Sequence, residues 1–211
     1  MSETPSAPKA MSAERLVFFT DAVAAIAITL LILPLMESVS EAAGEESFGE
    51  FVRHHVGQFG AFALSFAVIF RLWWAHHNVF RHVQSLHGWI VRWSLLWTFA
   101  IVLLPIPTAL ITAYRPTAGT VALYGGALCL ASGSLTMLGW YAHRHPELSE
   151  DGLPVTREQV LGSAVAFGTE LVATVIGSVF AGTINFWAFL LMFLAGPIQG
   201  VVKSRWRRAD P

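Results

Sequence analysis

At 211 residues, 55% hydrophobic and 13% charged, with a mean hydropathy of +0.57, the chain has the composition of a polytopic membrane protein and not of a soluble domain. Its net charge of −1 leaves no basic footprint for nucleic acid. The single cysteine, Cys129, excludes an intrachain disulfide and a zinc site built on cysteines.

Crossing a hydrocarbon core of about 30 Å takes about 20 apolar residues per helix. Six stretches qualify, at 16–36, 57–80, 89–113, 119–141, 160–181 and 183–203. The expected architecture is therefore an all-α integral membrane protein of six transmembrane helices. A cytoplasmic tail would occupy 1–13, the membrane domain 14–203 and a basic cytoplasmic tail 204–211.

The first span begins RLVFFTDAVAAIAITLLILPLM. Its apolar core is too long for a signal peptide and no small-residue cleavage pattern follows, so it reads as retained. Asp21 near its start is costly in hydrocarbon, which points to a protein-lined or wet surface. Arg15 and Asp21 are six residues apart and face different directions, so each needs a partner on another helix. Beyond Asp21 the helix is smooth and apolar, with Ile26, Leu30 and Leu33 on one face and Thr29 on its flank. Such a stripe serves either ordinary packing or, around a symmetry axis, stacked hydrophobic rings that gate a pore by dewetting.

The loop after it, ESVSEAAGEESFGEF, is acidic and reads first as a solvated link, the alternative being a vestibule that raises local cation concentration near a pore mouth. Span two ends RLWWAHHNVF, placing Trp74, His77 and Asn78 at the depth of Asp21. Arg71, within that span, and Glu170, in span five, each lie about ten residues from the same membrane face and are expected to neutralise each other. In span three, Pro105 and Pro107 predict a kink. Eight histidines show no i, i+4 pair that would converge on a metal, so no metal or cofactor is expected. Trp89, Trp140 and Trp206 sit near span ends as interfacial anchors.

Of the Lys and Arg residues, ten fall on one face if the N-terminus is cytoplasmic: Lys9, Arg15, Arg81, Arg92, Arg144, Arg157, Lys203, Arg205, Arg207 and Arg208. Only Arg53 and Arg115 fall on the other, so the positive-inside rule predicts that both termini are cytoplasmic.

The stretch Arg15-x-x-x-Phe19-Thr20-Asp21, followed by AVAAIAITLLIL, resembles the signature of the transmembrane protein 175 family of potassium channels, whose usual form is Arg-x-x-x-Phe-Ser-Asp. Thr20 for Ser keeps the hydroxyl. Trp73, Trp74 and His77 resemble the family's Trp and His cluster in span two, and one six-span unit per chain is similar to the bacterial branch. The resemblance implies a homotetramer in a bacterial plasma membrane, with the first span of each copy lining a central potassium pathway. Ile26, Leu30 and Leu33 would form the constriction and Thr29 would favour potassium, while Arg15, Thr20 and Asp21 would tie the pore helix to spans two and three. The expected partners are potassium ions, further copies of the chain and the lipid bilayer. No Thr-Val-Gly-Tyr-Gly loop is present, so selectivity would come from side chains and be moderate.

The alternative is a proton- or ion-coupled secondary transporter using Asp21, Arg71, His77 and Glu170, with Pro105, Pro107 and Pro197 breaking helices. Against it stand the absence of an internal inverted repeat and the small number of spans. An enzyme is not expected, since no nucleophile and base or metal set is evident.

Overall fold

A computed structural model describes residues 12–149 and 154–194, with Gly196 and Gly200. These residues are helical with short links. The expected tails at 1–13 and 204–211 lie outside the described residues but for Ser12 and Ala13.

Ser12 caps the first helix, α1 (Ala13–Leu30), by accepting a hydrogen bond from the Arg15 amide at 3.4 Å, and Glu14 complements the helix dipole. The continuous first span expected from hydropathy is broken after Leu30, and α2 (Leu33–Ala42) follows. Pro34 explains the break. It has no N–H to offer the carbonyl four residues back, that of Leu30, and its ring crowds that oxygen. The chain bridges the gap with tighter turns, Leu31 to Ile28 and Ile32 to Thr29. The acidic loop is more ordered than its composition suggests. After a turn at Gly44, with φ of 91°, it forms α3 (Phe48–His54), whose start is fixed by Ser47 donating its backbone N–H and hydroxyl to Glu50.

The second span is α4 (Val56–Phe80). The third is split by the mechanism seen in the first. α5 (Gly88–Leu103) stops where Pro105 and Pro107 begin α6 (Pro105–Ala113), since neither proline can donate to Ile101 or Leu103. Thr117 and Thr120 cap α7 (Ala118–Arg144) reciprocally, and Thr156 with Gln159 does the same for α8 (Arg157–Val179). Among the described residues, five segments are thus long and apolar enough to cross a membrane: Ala13–Ala42, Val56–Phe80, Gly88–Ala113, Ala118–Arg144 and Arg157–Val179. Of the expected sixth span, the described part is a 3-10 segment at Asn185–Leu194. The rest of 183–203 lies mostly outside the described residues.

The core is built around α7, which packs between α5 and α8. Small residues let α7 and α8 approach closely: a methyl group at Gly125 would fall 2.2 Å from the Thr174 hydroxyl. Tyr124 receives the edges of Phe186 and Phe189 from the 3-10 segment at 5.9 and 5.0 Å. α1 lies across α4 and α5, turning Leu16, Thr20, Ala24 and Ala27 inward. Outside, Phe66, Phe99, Val102, Leu123, Val172 and Val175 leave an apolar surface of the kind a membrane covers. At one end of the bundle Arg92 lies over Trp89 at 4.9 Å and Arg144 over Trp140 at 5.3 Å. Trp206 lies outside the described residues.

Candidate functional site

Asp21 sits in the second turn-pair of α1, half-buried against α4. Its carboxylate accepts a hydrogen bond from Trp73 Nε1 at 2.8 Å, so the interhelical bond connects the first and second spans. The indole is Trp73, where the sequence pointed to Trp74. Residues 73 and 77 are one helical turn apart and share a face, whereas Trp74 is rotated about 100° away. Trp74 is accordingly exposed. Its ring stacks on His77 at 6.2 Å, while His77 lies 5.7 Å from Trp73. His77 meets both indoles through its ring, and its buried Nδ1 has no hydrogen-bond partner among the described residues.

The remaining motif residues do not join this bond among the described residues. The Thr20 hydroxyl is fully buried and donates back to the Val17 carbonyl at 2.9 Å, satisfying itself within α1. Phe19 and Arg15 are exposed. Asn78 is half-buried and borders a cavity between α4, α7 and α8.

Arg71 and Glu170 are brought together. The Arg71 guanidinium donates from Nη2 to Glu170 Oε1, joining α4 to α8. Glu170 is completely buried, whereas the Arg71 side chain is 31% exposed. Two polar atoms of the pair, Arg71 Nε and Glu170 Oε2, are buried without a hydrogen-bond partner among the described residues.

Ile26, Leu30, Leu33 and Thr29 all point outward from the single chain, Ile26 and Leu33 with more than half of their surface exposed. At 100° per residue, Ile26 and Leu30 lie about 140° and 180° around α1 from Asp21. The bond to Trp73 therefore orients the apolar stripe away from α4. The Thr29 hydroxyl donates to the Ile26 carbonyl at 2.8 Å, which leaves its lone pairs facing outward.

Two buried polar contacts escaped the sequence reading. His76, fully buried, pairs with Ser94 at 2.9 Å and stacks on Trp97 at 4.1 Å, joining α4 to α5. Ser65 bonds Tyr124 at 3.3 Å and accepts from Thr108 at 3.0 Å, joining α4, α7 and α6. A serine in an apolar span level with a histidine was the available signal for the first. Among the described residues no three His, Cys, Asp or Glu side chains form a group that could hold a metal.

An all-helical, multi-pass membrane protein with a polar bond at the base of its first span is the class these features define. Comparison with known proteins narrows it. The family described as endosomal/lysosomal potassium channel TMEM175 matches residues 15–105, a stretch that runs from the first span into the third. A protein named as a potassium channel from Streptomyces collinus is 30% identical over 130 residues, 60% of this chain and 62% of that one. A second, from a Chryseobacterium species, is 31% identical over 128 residues, 61% of this chain and 64% of that one. The alignments thus span a little under two thirds of these relatives. The crystal structure of a lysosomal potassium-selective channel TMEM175 homolog from Chamaesiphon minutus superposes with a TM-score of 0.61 at 24% identity, covering 89% of this chain and 97% of that one. That likeness shows a common fold.

Proposed function

We propose that this chain forms a homotetrameric, potassium-permeable cation channel in a bacterial plasma membrane. Four copies of α1 and α2 surround the conducting axis, with both termini in the cytoplasm. The observation that carries the reading is the orientation of α1: its bond to Trp73 and its packing on α4 and α5 leave Ile26, Thr29, Leu30 and Leu33 uncovered. Four such helices facing one axis would stack Ile26, Leu30 and Leu33 as apolar rings narrow enough to exclude water. Thr29 would be the nearest polar group to a passing ion, and with side chains alone to replace hydration the selectivity is moderate. The match to the family over residues 15–105, and relatives named as potassium channels, support the same reading.

The test is the reversal potential of the purified protein in a planar bilayer, with potassium on one side and sodium on the other. Unitary currents reversing toward the potassium equilibrium potential are expected, with larger conductance in Ile26→Ala and weaker discrimination in Thr29→Val. Unchanged conductance in both Ile26→Ala and Leu30→Ala would remove the constriction. The buried Arg71–Glu170 pair favours, as a second reading, a coupled transporter. That reading requires flux without unitary currents, abolished when Asp21 or Glu170 is neutralised.

A further inference from the structure

Between α4, α7 and α8, on faces that α1 does not touch, lies a cavity of about 270 Å³. Its polar lining is Arg71, Asn78, Ser132, Glu158, Gln159 and Ser163. Glu158 and Gln159 are exposed and belong to the first turn of α8, and Asn78 lies near the last turn of α4, so the mouth is at the arginine-rich end of the bundle. Arg71 is nine residues back from Phe80, which at 1.5 Å per residue puts the floor about 13 Å inside. There the Arg71 side chain, paired through Nη2 with Glu170 Oε1, reaches the cavity wall, while Arg71 Nε and Glu170 Oε2 are buried without a hydrogen-bond partner among the described residues. A buried donor and a buried acceptor left unmet are each unfavourable. A polar space of this size holds several waters and offers them the two to four partners each requires.

The charges select the occupant. Arg71 is neutralised by Glu170, and Glu158 at the mouth is the other charged lining residue. The lining therefore presents donors and acceptors together without a single-signed field, which suits water and not a bound monatomic ion. We propose that the cavity is a water-filled inlet, open to the cytoplasm, that hydrates the Arg71–Glu170 pair near mid-membrane by a route separate from the α1 face. This goes beyond the channel reading and needs none of its parts except the orientation of the bundle.

The experiment is thiol labelling of the full-length chain in a Cys129→Ser background, in cells and in inverted membrane vesicles. Ser163→Cys and Ala166→Cys place a thiol on the cavity wall, and Ala164→Cys places one at the same depth on the exposed outer face of α8. The thiolate is the reactive form, and a thiol in hydrocarbon stays protonated, so a membrane-impermeant charged methanethiosulfonate should label the wall positions at least about tenfold faster than Ala164→Cys. Cationic and anionic reagents should label at similar rates, and only in inverted vesicles. Equal rates at positions 164 and 166 would overturn the water-filled cavity, and labelling in intact cells alone would overturn its cytoplasmic opening. A strong preference for one reagent charge would overturn water as the occupant. If Ala166→Cys does not accumulate, Ser163→Cys against Ala164→Cys decides the same question. Labelling needs no current, so its outcome is independent of whether the chain conducts.

Discussion

Replacing Arg71 with leucine should destabilise the protein more than replacing Glu170 with glutamine, although the two changes break the same contact. Glu170 is completely buried while the Arg71 side chain is 31% exposed, so the partner left behind differs in its access to water. Arg71→Leu strands a carboxylate inside the α4–α8 interface, a change that costs about 3–5 kcal/mol when one member of a buried pair is removed. Glu170→Gln keeps the shape and an acceptor oxygen, and it leaves a guanidinium that already borders a cavity, so about 1–3 kcal/mol is expected. Removing both with Arg71→Leu and Glu170→Leu leaves no buried charge without its partner, and stability should recover to within about 1 kcal/mol of the parent. For a chain of this length each kcal/mol moves the midpoint by about 2–4 °C, so Arg71→Leu should lower it by about 6–20 °C. The eight tryptophans provide the signal for thermal unfolding in detergent. Equal losses in the two single variants, or a double variant less stable than either, would refute the reasoning.

Three further outcomes follow from the same geometry. Gly125→Ala sets a methyl 2.2–2.8 Å from Thr174 atoms, and because Thr174 is branched at Cβ it cannot swing clear. A loss of about 1–3 kcal/mol is expected, partly restored by Thr174→Ala, and an unshifted unfolding midpoint would show that the helices separate freely. Trp73→Phe removes the donor to Asp21 and should cost about 1–3 kcal/mol, whereas Trp74→Phe should be near neutral; the reverse ranking would assign the bond to the wrong indole. The Ser47 hydroxyl, then its backbone N–H, hold the Glu50 carboxyl below its ordinary 4.5. A lowered folded value means that the capping contribution is complete above pH 4.5 and disappears as the pH falls through the folded midpoint. A carboxyl titration followed by NMR should place Glu50 below 4.5, with Ser47→Ala moving it upward; no movement would remove Ser47 as the cause.

The positions of the membrane segments were legible because hydropathy and capping residues act locally. α4, α5 and α7 start at Val56, Gly88 and Ala118, each one residue before the start that hydropathy marks. Helix breaks were written in the prolines, yet only the kink in span three was anticipated, since Pro34 falls near the end of span one where it resembles a terminus. Depth was also legible: Arg71 with Glu170, and Asp21 with the end of α4, are level because residues counted from a shared face advance by a fixed rise. Helix rotation was not. Trp73 and Trp74 are at the same depth, and which one faces Asp21 depends on how α1 packs across α4 and α5, a long-range outcome that no local pattern encodes. His76 illustrates the same limit, since its neighbour His77 turns to a different surface.

The break at Leu31–Ile32 divides the labour of the first span. α1 is anchored by its hydrogen bond to α4 and by packing on α4 and α5, whereas α2 makes few contacts with the rest of the bundle. Ile26 and Leu30 are therefore carried on a fixed post and Leu33 on an arm joined to it by two residues. In the proposed channel, the spacing between Leu33 and its counterpart in another copy would then depend on the four backbone dihedrals of Leu31 and Ile32, and not only on the bond that anchors α1.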